Sequence, residues 1–109
     1  MSLEQQFTAK FLDRTGQSQD LGGKPGRVLQ MYERWGAVLT CKKLLLTPNI
    51  KGRERIAKEK KRPDLSIEAL VLLPQFASLF TKPEIACAIF NLQQIPGGEG
   101  EGWRQWVKP

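Results

Sequence analysis

The chain has 109 residues, enough for one domain with one hydrophobic core. Hydrophobic residues make up 40% and charged residues 26%, which is typical of a globular protein and excludes a disordered chain. No apolar run approaches the roughly 20 residues of a membrane-spanning helix. A secretory signal, with basic residues before an apolar stretch, is not visible either. We therefore expect a cytoplasmic protein.

The net charge of +6 is concentrated in residues 42–62, which we call the basic segment. This segment holds nine cations and two carboxylates, a net charge of +7, so the rest of the chain sums to −1. Clustered positive charge is typical of polyanion-binding surfaces. The candidate nucleic-acid-binding residues are Lys42, Lys43, Lys51, Arg53, Arg55, Lys58, Lys60, Lys61 and Arg62.

Apolar residues at every fourth position (Leu3, Phe7 and Phe11) predict a short amphipathic helix over residues 3–13. Gly16 predicts that this helix has ended, and residues 15–24 lack any hydrophobic period, which predicts a loop.

The next apolar stripe predicts two helices separated at Gly36. Pro25 suits the first helical position because its fixed φ angle matches a helix and its missing N–H has no partner there. Apolar residues then follow at helical spacing over residues 28–35 and again over residues 38–46. We place a break at Gly36 because glycine commonly follows the last residue of a helix.

Residues 65–73 are apolar on nearly every side, which predicts the buried centre of the fold around Leu70. Asp64 or Ser66 would cap the start of this helix. Further along, Thr81 and Glu84 have the spacing of a capping box and predict a helix from residue 82 to about residue 94. On that helix, Ile89 is expected to be buried at the centre.

These elements predict an all-α protein, a small orthogonal bundle of about five or six short helices over residues 1–95. Residues 96–109 begin with glycine and glutamate and predict a flexible tail. The tail ends in a segment with two tryptophans, Trp103 and Trp106. Two alternatives follow: the tryptophans fold back onto the domain, or they form a docking motif for a partner chain.

The side chains of common catalytic and metal sites are scarce. The chain has no histidine, which removes the usual general base and the commonest metal ligand. Its two cysteines, Cys41 and Cys87, lie far apart in apolar surroundings and are expected to be reduced and buried. We therefore expect no enzymatic activity, no metal and no cofactor.

Part of the chain resembles a small helical module of uncharacterised bacterial proteins. The resemblance covers about the middle two-thirds of the chain and is carried by residues 32–38, 43–45, 63–72, 79–81 and 84–85. Its most distinctive stretch is Asp64-Leu65-Ser66-Ile67-Glu68-Ala69-Leu70. The resemblance implies a soluble, helical, bacterial protein with no catalytic residues. The chain departs from the pattern in its dense lysine and arginine run between Lys51 and Arg62.

Two functional hypotheses follow from these observations. The first is a nucleic-acid-binding accessory domain that uses the basic segment, although the segment contains no aromatic residue on which a base could stack. The alternative is a protein-interaction or oligomerisation module that uses the last helix with Trp103 and Trp106. A purely solvated lysine-rich surface also fits the charge pattern. Neither hypothesis involves a membrane.

Overall fold

The computed structural model describes residues 2–20, 26–46 and 62–108. These residues form the helices α1 (Leu3–Asp20), α2 (Gly26–Leu46), α3 (Ile67–Val71) and α4 (Lys82–Gln93). They also form 3₁₀ helices at Pro63–Leu65, Pro74–Leu79 and Gly102–Trp106. No strand occurs within the described ranges. The prediction of a small all-α bundle is confirmed.

Helix α1 ends at Asp20, so the end predicted near Asp13 is wrong, as is the loop predicted over residues 15–20. The helix passes through Gly16, although a glycine inside a helix costs about 1 kcal/mol relative to alanine. Gln17 Nε2 donates to Asp13 Oδ2 at 3.0 Å across one helical turn. Arg14 bonds to other parts of the chain. The local termination signal at Gly16 therefore does not end the helix.

Helix α2 is interrupted at Gly36, where φ is 82° and ψ is 170°. A positive φ is uncommon for residues that carry a Cβ, and glycine adopts it without steric cost. The break predicted at Gly36 is therefore confirmed. After the break, Ala37, Cys41 and Leu45 turn into the core. Pro25, predicted as the first residue of this helix, lies outside the described residues.

The predicted centre of the fold around Leu70 is also confirmed. Of the two candidate caps, Ser66 is the one observed, because its Oγ accepts the backbone N–H of Ala69 at 3.2 Å. Leu70 is 1% exposed, and Val71 beside it is fully buried. The aromatic part of the core joins Phe7 of α1 to Phe76, with their rings edge to face at a centroid distance of 5.1 Å.

Helix α4 begins with the predicted capping box at Thr81, and both of its hydrogen bonds to Glu84 are present. Its buried row is Glu84, Ala88 and Leu92, spaced four residues apart. Ile89 lies beside that row and is only partly buried, so its predicted place at the centre is wrong. Glu84 turns inward because it forms an ion pair with Lys42. A prediction based on apolar residues alone does not place a carboxylate on the buried face of a helix.

The residues after α4 turn back onto it. Trp103 is 7% exposed and packs in a small second core with Leu92 and Ile95. Trp103 therefore folds back onto the domain, which was one of the two alternatives for this residue. Residues 96–101 are mostly turns and precede the last 3₁₀ helix. The flexibility predicted for residues 96–109, and the domain boundary at residue 95, stay predictions.

Candidate nucleic-acid interface

A cleft of about 580 Å³ lies between α1, the 3₁₀ helix at Pro63–Leu65 and the C-terminal residues. We call it the basic cleft. One wall is a single face of α1, because residues three, four and seven positions apart lie above one another on a helix. The polar side chains of that wall are Lys10, Asp13, Arg14 and Gln17. The other walls contribute Arg62, Asp64, Trp106 and Lys108.

Arg14 joins the three walls of the cleft. Its Nη1 donates to the carbonyl oxygen of Asp64 at 2.9 Å, and its Nη2 donates to the carbonyl oxygen of Lys108 at 2.8 Å. Burial lowers the pKa of Arg14 from its ordinary value, against the raising effect of Asp64 and Asp13. A guanidinium remains charged at neutral pH after such a shift. Arg14 is therefore a charged residue that links α1 to the two other walls of the cleft.

Arg62 and Asp64 form a two-pronged ion pair at the cleft wall. Nε of Arg62 donates to Oδ1 of Asp64 at 3.1 Å, and Nη2 donates to Oδ2 at 3.0 Å. The hydrogen bond from Arg62 lowers the pKa of Asp64, so this carboxylate is ionised and compensated at neutral pH. Nη1 of Arg62 takes no part in these two hydrogen bonds.

Two lysines complete the charge of the cleft. No hydrogen bond or ion pair engages the ammonium groups of Lys10 and Lys108 within the part of the chain that the structure describes. With Arg14 and Arg62, they oppose only two carboxylates, those of Asp13 and Asp64, which leaves the lining with a net charge of +2. The cleft therefore attracts anions.

Trp106 brings a partly exposed indole to this charged lining. The backbone of Gly98 lies so close that a Cβ built there would be 2.8 Å from Cζ3 of the indole. Beside it, Gln105 Nε2 donates to the carbonyl oxygens of Gly97 and Gly102 at 3.0 Å and 2.9 Å. The glycine turn thus supports the ring and fixes its position in the cleft.

Three of the nine predicted nucleic-acid-binding residues, Lys42, Lys43 and Arg62, lie within the described residues. Lys42 is bonded to Glu84, and Lys43 lies over the ring of Trp35, 4.6 Å from its centroid. Arg62 lines the basic cleft, whereas Lys42 and Lys43 do not. The remaining candidates lie outside the described residues: Lys51, Arg53, Arg55, Lys58, Lys60 and Lys61.

The two predicted docking residues also have different surroundings. Trp103 is buried in the second core and has little surface to offer a partner. Trp106 packs against that core and is partly buried, and it also lines the basic cleft together with Arg62. Its role as a partner-docking residue stays a prediction.

Three cations of the cleft were not predicted from the sequence: Lys10, Arg14 and Lys108. Lys10 and Arg14 are four residues apart, and Gln17 continues the same face three residues later. This polar stripe becomes visible only if the helix is extended past Gly16, whereas the predicted helix ends before it. Lys108 carries no local pattern that would assign it to the site.

Within the described ranges, no group of three or more cysteine, aspartate or glutamate side chains is placed to hold a metal ion. None of the described helices is long and apolar enough to cross a membrane. Comparison of the chain with protein-family models, with curated proteins and with solved structures gave no match. The function is therefore inferred from the residues and their geometry.

Proposed function

We propose that this chain is a non-catalytic, cytoplasmic nucleic-acid-binding accessory domain. One observation carries the proposal. Arg62, the last cation of the basic segment, lines a cleft with Lys10, Arg14 and Lys108, which come from the two ends of the chain. One cation of the basic segment therefore shares a surface with three cations from outside the segment.

Counterion release provides the driving force. A polyanion that contacts several lysine and arginine side chains gives up condensed cations, which favours binding and makes it weaken steeply as salt rises. The basic segment supplies a net charge of +7, and the basic cleft extends it with cations outside the segment. Surface charge of this kind supports binding to phosphates without sequence specificity.

The carboxylates near the cleft do not cancel this attraction. Asp64 is already compensated by Arg62, with which it forms two hydrogen bonds. Asp13 accepts a hydrogen bond from the neutral amide of Gln17, which does not cancel its charge, but the lining has a net charge of +2 with this carboxylate counted. The ammonium groups of Lys10 and Lys108 have no such acceptor among the described residues and are available to phosphates.

The test is a salt titration of binding to a fluorescently labelled oligonucleotide, followed by anisotropy between about 50 and 200 mM salt. The double variant Arg53→Gln/Arg55→Gln should reduce the slope of log Kd against log salt by about 2, or about one for each phosphate-binding cation removed. The matched control is Arg27→Gln/Lys82→Gln, which removes the same charge from outside the basic segment and the cleft. The control should keep the wild-type slope.

No binding to single-stranded or duplex oligonucleotides at the lowest salt would overturn the proposal. So would an equal reduction of slope in the two double variants, because binding would then follow net charge alone.

A second candidate function is contact with another protein chain through α4. Phe90 supports it, because this side chain is 61% exposed on a helix whose charged residues, Lys82 and Glu84, both lie in the first turn. We would test it as self-association by sedimentation at several protein concentrations. Under this candidate Phe90→Ser abolishes a concentration-dependent dimer, while the charge variants above leave it intact.

A further inference from the structure

We propose that the basic cleft takes single-stranded nucleic acid, with one base stacked on the indole of Trp106. This inference rests on the proposed function and narrows its substrate class. It concerns only described residues: the aromatic ring and the cations that surround it in the fold.

The basic segment has charge but no aromatic residue, and the fold supplies the aromatic from elsewhere. Trp106 and Arg62 lie far apart in the sequence, and both line the same cleft. Lys10 and Lys108 line it as well. Cations that contact the backbone, beside an aromatic ring that stacks a base, are the two elements of single-strand binding sites.

The indole of Trp106 is held in place before any ligand arrives. It packs against the glycine turn at Gly97 and Gly98, and a Cβ at Gly98 would collide with the ring, at 2.8 Å from Cζ3. Gln105 Nε2 donates to the carbonyl oxygen of Gly97, which joins that turn to the last 3₁₀ helix. Arg14 holds the carbonyl group of Lys108, just beyond the tryptophan. A ring fixed in this way loses little side-chain entropy on stacking, which favours affinity.

The arrangement selects against a duplex. Bases in a duplex are stacked on one another, so only an unpaired strand can offer a base face to an indole. A duplex would reach the cations at the rim of the cleft with its phosphates and gain nothing from Trp106. The difference between the two substrates is therefore a stacking contribution that depends on this one ring.

Trp35 is the other exposed indole near described cations, and it serves as the comparison. It is 37% exposed, but the guanidinium of Arg34 and the ammonium of Lys43 lie 5.2 Å and 4.6 Å from its ring centroid. Its ring already interacts with cations of its own helix, and it does not line the cleft. Trp35→Ala is therefore the matched control for Trp106→Ala.

The experiment measures the affinity of the whole chain for oligo(dT) and oligo(rU) of about 12 nucleotides, and for a duplex with the same number of phosphates. Trp106→Ala should weaken binding to one or both single strands by about 5-fold to 150-fold and leave the duplex affinity unchanged. Trp106→Phe should retain most of the affinity because it keeps an aromatic face. Trp35→Ala should change neither. Comparison of oligo(dT) with oligo(rU) shows whether the cleft binds DNA or RNA.

A spectroscopic measurement covers the case in which Trp106→Ala fails to fold. In a chain with Trp35→Phe and Trp103→Phe, Trp106 is the remaining tryptophan, and its fluorescence should be quenched when oligo(dT) or oligo(rU) binds. Binding of the strand without quenching of the Trp106 fluorescence overturns the stacking assignment. So does an equal loss of single-strand and duplex affinity in Trp106→Ala, or a loss that follows Trp35→Ala instead. In those cases the chain still binds nucleic acid and the proposed function stands. Absence of all binding overturns the proposed function itself.

Discussion

The ammonium nitrogen of Lys42 lies 2.8 Å from Oε1 of Glu84, and the same oxygen accepts the backbone N–H of Thr81 at 2.8 Å. This pair joins the second half of α2 to the first turn of α4. Lys42 also lies 5.5 Å from the ring centroid of Phe80. A cation that the sequence assigns to the basic segment is thus engaged within the fold.

Glu84 should make the stability of the protein depend on pH. Burial raises the pKa of this carboxyl, but hydrogen bonds from Lys42 and Thr81 outweigh burial and hold the pKa below its ordinary value of 4.5. The ionised form therefore stabilises the fold fully above pH 4.5, and this stabilisation is lost as the pH falls through the lowered pKa. Glu84→Gln should reduce stability at neutral pH and flatten its decline in acid.

Urea unfolding of both proteins at several pH values measures this effect. Glu33→Gln, which removes an exposed carboxylate of α2, should leave the pH dependence of the wild type in place. A Glu84→Gln variant that loses stability in acid as steeply as the wild type would contradict the assignment.

Leu92 and Ile89 should differ in their contribution to the core. Leu92 is fully buried in the second core, whereas Ile89 is only partly buried beside it. Leu92→Ala should cost about 2–5 kcal/mol, the range for truncating a buried leucine. Ile89→Ala should cost clearly less because part of its side chain already faces solvent. Thermal or urea unfolding gives both values, and an equal cost would mean that the buried face of α4 is misassigned.

Gly98 and Gly16 should respond in opposite directions to alanine. A Cβ at Gly98 would lie 2.1 Å from the carbonyl oxygen of Leu92, so Gly98→Ala should destabilise the fold by more than about 1 kcal/mol. Gly16 lies inside α1, and a Cβ there meets nothing within 4 Å. Gly16→Ala should stabilise by about 0.5–1 kcal/mol. Differential scanning calorimetry of the two variants tests both signs.

Cys41 and Cys87 should react at different rates with a thiol reagent. Both are free thiols, but Cys41 is fully buried whereas Cys87 is partly exposed. Burial raises the pKa of the Cys41 thiol, and the negative charge of Glu68 raises it further, which suppresses the reactive thiolate. Mass spectrometry should show labelling of Cys87 in the native protein and of Cys41 only after unfolding. Fast native labelling in a Cys87→Ala variant would contradict the buried position of Cys41.

Local sequence signals predicted the features that depend only on interactions between neighbouring residues. The capping box at Thr81, the cap at Ser66 and the break at Gly36 depend on a few neighbouring residues and their backbone preferences. The buried segment around Leu70 was predictable because it is apolar on nearly every side and has no polar face to misassign.

Predictions failed where a distant partner decides the outcome. The end of α1 was misplaced because Gly16 favours termination locally, and the bonds from Arg14 to residues 64 and 108 are not visible in a local pattern. The burial of Ile89 was overestimated because the buried row of α4 includes Glu84, which turns inward to meet Lys42 of α2. Hydrophobic periodicity contains no information about either partner.

The sequence by itself determined an all-helical chain, its principal helix boundaries after residue 62, and the location of its positive charge. Only the tertiary structure decided which cations share a surface with an aromatic ring. Lys10, Arg62 and Trp106 come together in one cleft because Arg14 bonds to two chain segments, one on each of the other walls. Such convergence depends on long-range hydrogen bonds and packing, since neither the charge nor the spacing of residues along the chain specifies which segments meet.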